Sequence, residues 1–323
     1  MIAAWIGFTL PSTLLMIAFA LGIGAMGDLG HAAWLKGLKL VAVAVVAQAV
    51  WGMARTLCPD RPRATLAVAS CLIALAEPSA AGQIGAIMMG AVVGFTVLTR
   101  GTQPVASTLP RATSTSRRGA LWCLGLFIAL LVLLPILADA CDSTALRMAA
   151  AFYQVGALIF GGGHVMLPLL QSAVVAPGWV STDAFLAGYG AAQAIPGPLS
   201  SFAGYLGVIM QPGPSAWAFG LLCVVAIFLP SFLLVAGVLP LWDRLRGRTG
   251  MQAALRGVNA AVVGIVLAAL FSTMWLGSVM GPAEFGLALA AFLLLASWSV
   301  PPWLVVLCGA AAASILGAAG VPF

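Results

Sequence analysis

The sequence predicts an all-α, polytopic transmembrane protein, and three observations carry that prediction. Of 323 residues, 63% are hydrophobic and 7% are charged, against roughly 25% charged in an ordinary soluble domain. Uncharged runs long enough to cross a bilayer core, which takes about 20 apolar residues, recur along the chain: Ile2 to Met26, Gly119 to Ala138, Gly257 to Ala283 and Phe285 to Phe323, with Ala184 to Trp242 free of charge throughout. These runs are rich in Leu, Ala, Val and Gly and do not alternate apolar with polar residues, so a transmembrane β-barrel is excluded.

The elements follow in order. The run from Ile2 lacks a basic leader and a small-residue cleavage site, so it reads as a retained helix. Arginines then set the topology, because short loops rich in Lys and Arg stay on the cytoplasmic side. Arg55, Arg61 and Arg63 flank one such loop, and Arg100, Arg111, Arg117 and Arg118 fill a Thr/Ser/Pro-rich linker at 100–118. Two helices, at 64–76 and 79–99, connect them, which puts the loop around Asp28 and His31 outside. From the linker a helix at 119–138 exits near Asp139 and Asp142. Three more crossings, at about 146–173, 181–210 and 215–240, return to a cytoplasmic loop holding Arg244, Arg246, Arg248 and Arg256. The total is about eleven membrane segments.

The linker separates a first repeat, 1–99, from residues 119–323, a connecting helix plus a second repeat. Leu10-Pro11-Ser12 matches Leu229-Pro230-Ser231, and Leu35-Lys36-Gly37-Leu38 matches Leu255-Arg256-Gly257-Val258. Two matches in the same order, about 220 residues apart, indicate an internal duplication, with similar composition of the helices as the alternative. Because the loops after the two copies fall on opposite sides, the repeats are expected to be inverted, a plan of many secondary transporters. About 75 residues precede the Leu-Pro-Ser core in the second repeat and only nine in the first, so the first copy is expected to lack its beginning.

Two segments are built unlike plain spanning helices. One is Phe160-Gly161-Gly162-Gly163-His164-Val165-Met166-Leu167-Pro168; the other is Gln193-Ala194-Ile195-Pro196-Gly197-Pro198-Leu199-Ser200-Ser201. Broken backbone is tolerated at membrane depth only where protein or a water-filled cavity satisfies it. A break also creates half-helix N-termini, whose N–H groups and partial positive charge attract anions. Gly161, Gly162, Gly163, His164, Gln193, Pro196, Gly197, Pro198 and Ser200 are therefore the candidate binding residues, against the alternative of kinks and close helix packing. His164 is the only ionisable residue between Arg147 and Asp183. It either pairs with an anion or couples a proton, or donates one hydrogen bond to a neighbouring carbonyl.

At these segments a family resemblance becomes specific. The stretch from Tyr153 through Gly161-Gly162-Gly163-His164 to Leu170, then Pro177-Gly178-Trp179-Val180 and Phe185 through Gln193-Ala194-Ile195-Pro196-Gly197-Pro198-Leu199, resembles the second repeat of the chromate ion transporter family. Gly7 through Ser12 and Val43 through Trp51 resemble the first half of its two-domain members. The resemblance implies efflux of chromate across the bacterial inner membrane, with sulfate as a competitor, driven by an ion gradient. It also implies that first-repeat copies of both breaks belong before the segment at Met1. A non-transporting remnant or assembly subunit is the alternative reading.

Other classes are disfavoured. The basic balance of +6 sits in inter-helix loops as a topology signal, so nucleic acid is not an expected partner. The six cysteines lack paired spacing, and neither metal nor cofactor is expected. No phosphate-binding GxxxxGK[ST] run occurs. An intramembrane hydrolase using His164 with Ser200 or Ser201 requires nucleophile and base within hydrogen-bond reach. Membrane lipid and a homodimer are the remaining candidate partners.

Overall fold

The structure, a computed structural model, describes residues 2–25, 33–101, 117–159, 163–245 and 248–319. The loop at Asp28 and His31, nearly all of the linker, and Gly161 and Gly162 lie outside the described residues. Among the described residues the regular structure is entirely helical. In lipid every backbone polar group must be paired inside its own segment, and the helix is the open-chain solution.

The helices are α1 (Ile2–Ala25), α2 (Ala33–Leu57), α3 (Arg61–Ala76), α4 (Ala80–Val97), α5 (Arg117–Cys141), α6 (Thr144–Leu158), α7 (Met166–Leu170), α8 (Thr182–Ala194), α9 (Phe202–Met210) and α10 (Ala216–Leu245). There follow α11 (Thr249–Ala269), which runs through a π-helical turn at Leu270–Trp275 into α12 (Leu276–Ser278), then α13 (Pro282–Ala296) and α14 (Pro302–Ala318). Six helices among the described residues are long and apolar enough to cross a membrane: α1, α2, α4, α5, α10 and the continuous Thr249–Ser278. The protein is a multi-pass membrane protein.

Helix starts are set by local chemistry. Asp60 caps α3, its carboxylate accepting from the Arg63 N–H at 3.0 Å. Ser79, Ser143 and Ser181 cap α4, α6 and α8 in the same way. A cap satisfies a backbone donor that the first turn cannot. Prolines near the starts of α3, α13 and α14 sit where a missing N–H costs nothing.

The chain divides into two compact units that interleave in sequence. One comprises Met1–Met53, Leu170–Val224 and Val266–Phe323; the other comprises Ala54–Leu169 and Val225–Ile265. In the first unit α1 packs along α9, and α8 packs on α14. Its core joins Leu38, Val41 and Val45 of α2 to Ala187 and Ala191 of α8, Leu295 of α13 and Val305 of α14. In the second unit α3 pairs with α4 and α5 with α6.

Each unit contains a glycine-to-glycine crossing that joins the two halves of the sequence. In the first, a Cβ on Gly37 of α2 would lie 2.5 Å from the Gly309 carbonyl oxygen of α14. In the second, a Cβ on Gly90 of α4 would lie 2.8 Å from the Gly257 carbonyl oxygen of α11. Small residues let two backbones approach closely where lipid offers no hydrophobic drive to pair. Gly37 and Gly257 are the matched glycines of the Leu-Lys-Gly-Leu and Leu-Arg-Gly-Val segments. Each meets a helix from the other half of the sequence.

Candidate functional site

The break after α8 lies in the first unit and is framed by proline. Ile195 leaves the helix with φ −95° and ψ 126°, as a residue before proline should, because the proline ring disfavours the α region there. Gly197 sits at φ +148°, a conformation that favours glycine. Pro198 is extended, and a short turn at Leu199–Ser201 leads into α9. Gln193, Pro196, Gly197, Pro198 and Ser200 are thus brought into one segment.

That segment is seated on α1. A Cβ on Gly197 would fall 2.5 Å from Ser12 Oγ, and one on Gly204 would fall 3.4 Å from Thr13 Cγ2. Thr9, Ser12 and Thr13 occupy one face of α1, at i, i+3 and i+4, and all three are buried. Ser12 donates to the Thr9 carbonyl at 2.9 Å. The hydroxyls of Thr9 and Thr13, and the Gln193 amide nitrogen, are buried without a hydrogen-bond partner. An unsatisfied buried hydroxyl costs about 1–3 kcal/mol. Phe202 contacts Tyr189 edge-on and stacks on Tyr205. These rings wall the segment with aromatic surface.

The other break lies in the second unit. The α6 helix ends at Leu158 with Ile159 extended, and Gly163, His164 and Val165 form a single tight turn before α7. His164 is half-buried. Gln83 of α4 reaches this region from a buried position and donates to the Pro168 carbonyl at 3.1 Å, satisfying an acceptor next to the interruption.

Sequence reasoning missed several of these residues. The Thr9, Ser12 and Thr13 stripe was readable as a polar face in an uncharged helix, but it signalled only a repeat. Gln83 gave no signal beyond being an amide in an apolar run. Lys39, buried in α2, bonds Asp183 at the start of α8 with N to O at 2.6 Å. An ionisable residue in a spanning helix is a functional candidate by default, so the lysine alone could have been flagged; its partner 144 residues away could not.

Long apolar helices, interruptions built from glycine and proline, and unpartnered hydroxyls at one of them define a multi-pass membrane protein built on broken helices. A family model described as chromate transporter matches residues 1–95 and 146–314, and the chain belongs to that family. It is 29% identical over 271 residues to a chromate transport protein of Pseudomonas aeruginosa, an alignment covering 82% of this chain and 61% of the relative. A chromate transport protein of Cupriavidus metallidurans is 36% identical over 117 residues, which is 36% of this chain and 28% of the relative. A probable chromate transport protein of Synechococcus elongatus is 30% identical over 127 residues, covering 38% and 31%. The chain therefore spans 61% or less of the length of these relatives. No solved structure matches it.

Proposed function

We propose that this chain carries a tetrahedral dianion, chromate with sulfate as its competitor, outward across a bacterial inner membrane as a secondary transporter. The observation that carries the reading is the Pro196-Gly197-Pro198 break lying on the hydroxyl stripe of α1, with the hydroxyls of Thr9 and Thr13 buried and unpartnered. A desolvated anion needs hydrogen-bond donors in place of water. Hydroxyls donate, and the N-terminal turn of a helix such as α9 presents N–H groups and a positive dipole end. Gln193 and Ser200 add side-chain donors at the same segment. No lysine or arginine is needed at the anion, which suits a substrate that must also leave.

The break at Gly161, Gly162, Gly163 and His164 is assigned to the same transport cycle, with His164 as the group that pairs with charge or couples a proton. Two inverted repeats, 1–99 and 119–323 about the 100–118 linker, supply the moving halves. The glycine crossings, Gly37 with Gly309 and Gly90 with Gly257, support that reading by recurring at matched positions.

The test is chromate uptake into everted membrane vesicles of the native host, comparing cells that contain the gene with cells from which it is deleted. Gene-dependent uptake that sulfate competes is expected. Identical uptake in the two vesicle preparations refutes the reading.

A further inference from the structure

The second unit contains a charged cavity. Its walls are Asp60 and Arg63 at the start of α3, Val97 and Leu98 at the end of α4, and Arg256 of α11, and its volume is about 180 Å³. The two arginine-rich stretches of the sequence, at 55–63 and 244–256, meet there. Tight packing beside the cavity brings them together. A Cβ on Gly94 of α4 would lie 2.5 Å from the Ala253 carbonyl oxygen of α11, and one on Gly250 would lie 2.6 Å from the Phe95 ring. That crossing fixes the end of α4 against α11, so Arg256 and the first turn of α3 frame the space beside Leu98.

The lining holds two guanidinium groups and one carboxylate, a surplus of one positive charge. Asp60 Oδ2 accepts from Arg63 Nε at 2.7 Å and lies 2.6 Å from its Nη2. This grip sets the plane of the guanidinium, a rigid fork of N–H donors suited to oxyanions, and leaves its Nη1 edge for another acceptor. A pocket for a whole drug-sized ligand measures roughly 300–1,000 Å³, so this smaller space admits a group of a few atoms. Next to it, Met88, Val92 and Phe95 share one face of α4 at i, i+4 and i+7 and are 58%, 58% and 59% exposed. In a multi-pass protein such a face lies against acyl chains, and it ends about one turn before Leu98. A lipid whose chains follow that face brings its phosphate to the cavity. A phosphodiester carries a single negative charge, which matches the surplus; a dianion such as chromate exceeds it.

We propose that this cavity binds a phosphate group at the rim of the membrane, held by the guanidinium groups of Arg63 and Arg256, with an anionic phospholipid as the source that the adjoining apolar face favours over a free phosphate ion. Basic pockets between membrane helices on the cytoplasmic side take anionic headgroups in this way. Asp60 is the residue that positions Arg63. The site uses none of the residues of the α8–α9 break, and its test contains no transport step, so it stands or fails separately from the chromate assignment.

In the experiment the full chain, purified in a non-ionic detergent, is titrated with phosphatidylglycerol, and bound lipid is counted by native mass spectrometry. Phosphatidylcholine, which has no net charge, is the control and is expected to bind more weakly. Arg256→Gln should weaken the tightest phosphatidylglycerol about tenfold, the weight of a hydrogen bond to a charged group. Arg248 is exposed and outside the cavity, and Arg248→Gln should change the affinity less than about twofold, because solvent and salt screen it. Leu98→Trp fills the space without altering a charge and should also weaken binding. A second arm adds inorganic phosphate to the lipid-free chain and reads Tm: no shift identifies the lipid as the source, and a shift that is lost in Arg256→Gln identifies the free ion. If neither probe needs Arg256, if Arg256→Gln and Arg248→Gln weaken binding equally, or if Leu98→Trp binds as tightly as wild type, the proposal is overturned.

Discussion

Gly197 lies on Ser12 so closely that a methyl group at residue 197 would sit 2.5 Å from the serine oxygen, and the glycine holds φ at +148°. Two penalties therefore coincide at one position. Gly197→Ala should destabilise the purified protein by about 2 kcal/mol or more, the sum of a clash and a strained backbone. Adding Ser12→Gly removes the clash and leaves the strain, so the double variant should recover part of the lost Tm. Full recovery would show that the positive φ carries no cost, and no recovery would show that the clash carries none.

Thr13 offers a sharper separation of binding from folding. Its hydroxyl is buried and unpartnered, and Val is nearly the same shape without the oxygen. Thr13→Val should raise the Tm of the ligand-free protein, since an orphan polar group is removed. If the hydroxyl serves the anion, the same change should weaken chromate binding about tenfold, which is about 1.4 kcal/mol. Thr13→Ser keeps the donor and should bind close to wild type. A Val variant that is less stable but binds normally would assign Thr13 to packing.

The breaks were legible in the sequence because glycine and proline act on the backbone locally: Ile195 leaves the helix because Pro196 follows it, whatever the tertiary context. The hydroxyl stripe was not legible as a site. Ser and Thr in a membrane helix usually bond their own backbone, as Ser12 does to Thr9, and only the contact with Gly197 gives the stripe its meaning. Gly37 and Gly257 were readable as repeat partners. Their packing partners were not, because each lies in the other half of the chain and no local pattern encodes a crossing at that separation. The π-helical turns at Gln171–Val175 and Leu270–Trp275 also left no recognisable composition.

Lys39 and Asp183 are unequal partners, since the lysine side chain is 10% exposed and the carboxylate 63%. Removing the carboxylate strands a mostly buried ammonium; removing the lysine frees an acid that water already reaches. Asp183→Asn should therefore cost more stability than Lys39→Met. The cost is about 1–2 kcal/mol, below the 3–5 of a fully buried pair because solvent screens Asp183. The double variant should lie nearer to Lys39→Met than to Asp183→Asn. Thermal unfolding of the three purified variants in one detergent measures this, and equal losses in both single variants would contradict the asymmetry.

Asp60 gives a pH dependence whose direction can be derived. Its carboxyl titrates below the ordinary aspartate range, first because the Arg63 side chain hydrogen-bonds it and then because the Arg63 backbone N–H does. The Arg63 guanidinium reaches Oδ2 at 2.6 Å, and the backbone N–H reaches Oδ1 at 3.0 Å. The carboxylate therefore binds its proton less readily in the folded protein than in the unfolded chain. Its stabilising contribution is complete above the unfolded value, about 3.9, and is lost as pH falls through the lower folded value. The group is well exposed, so solvent screening holds the effect to on the order of 1 kcal/mol or less. Asp60→Asn keeps an oxygen able to cap α3 and removes the titration. Between pH 7 and pH 3 wild type should lose more Tm than Asp60→Asn, and at the acid end the two should converge. Parallel curves across that range would show that the Asp60 and Arg63 contact does not persist in solution.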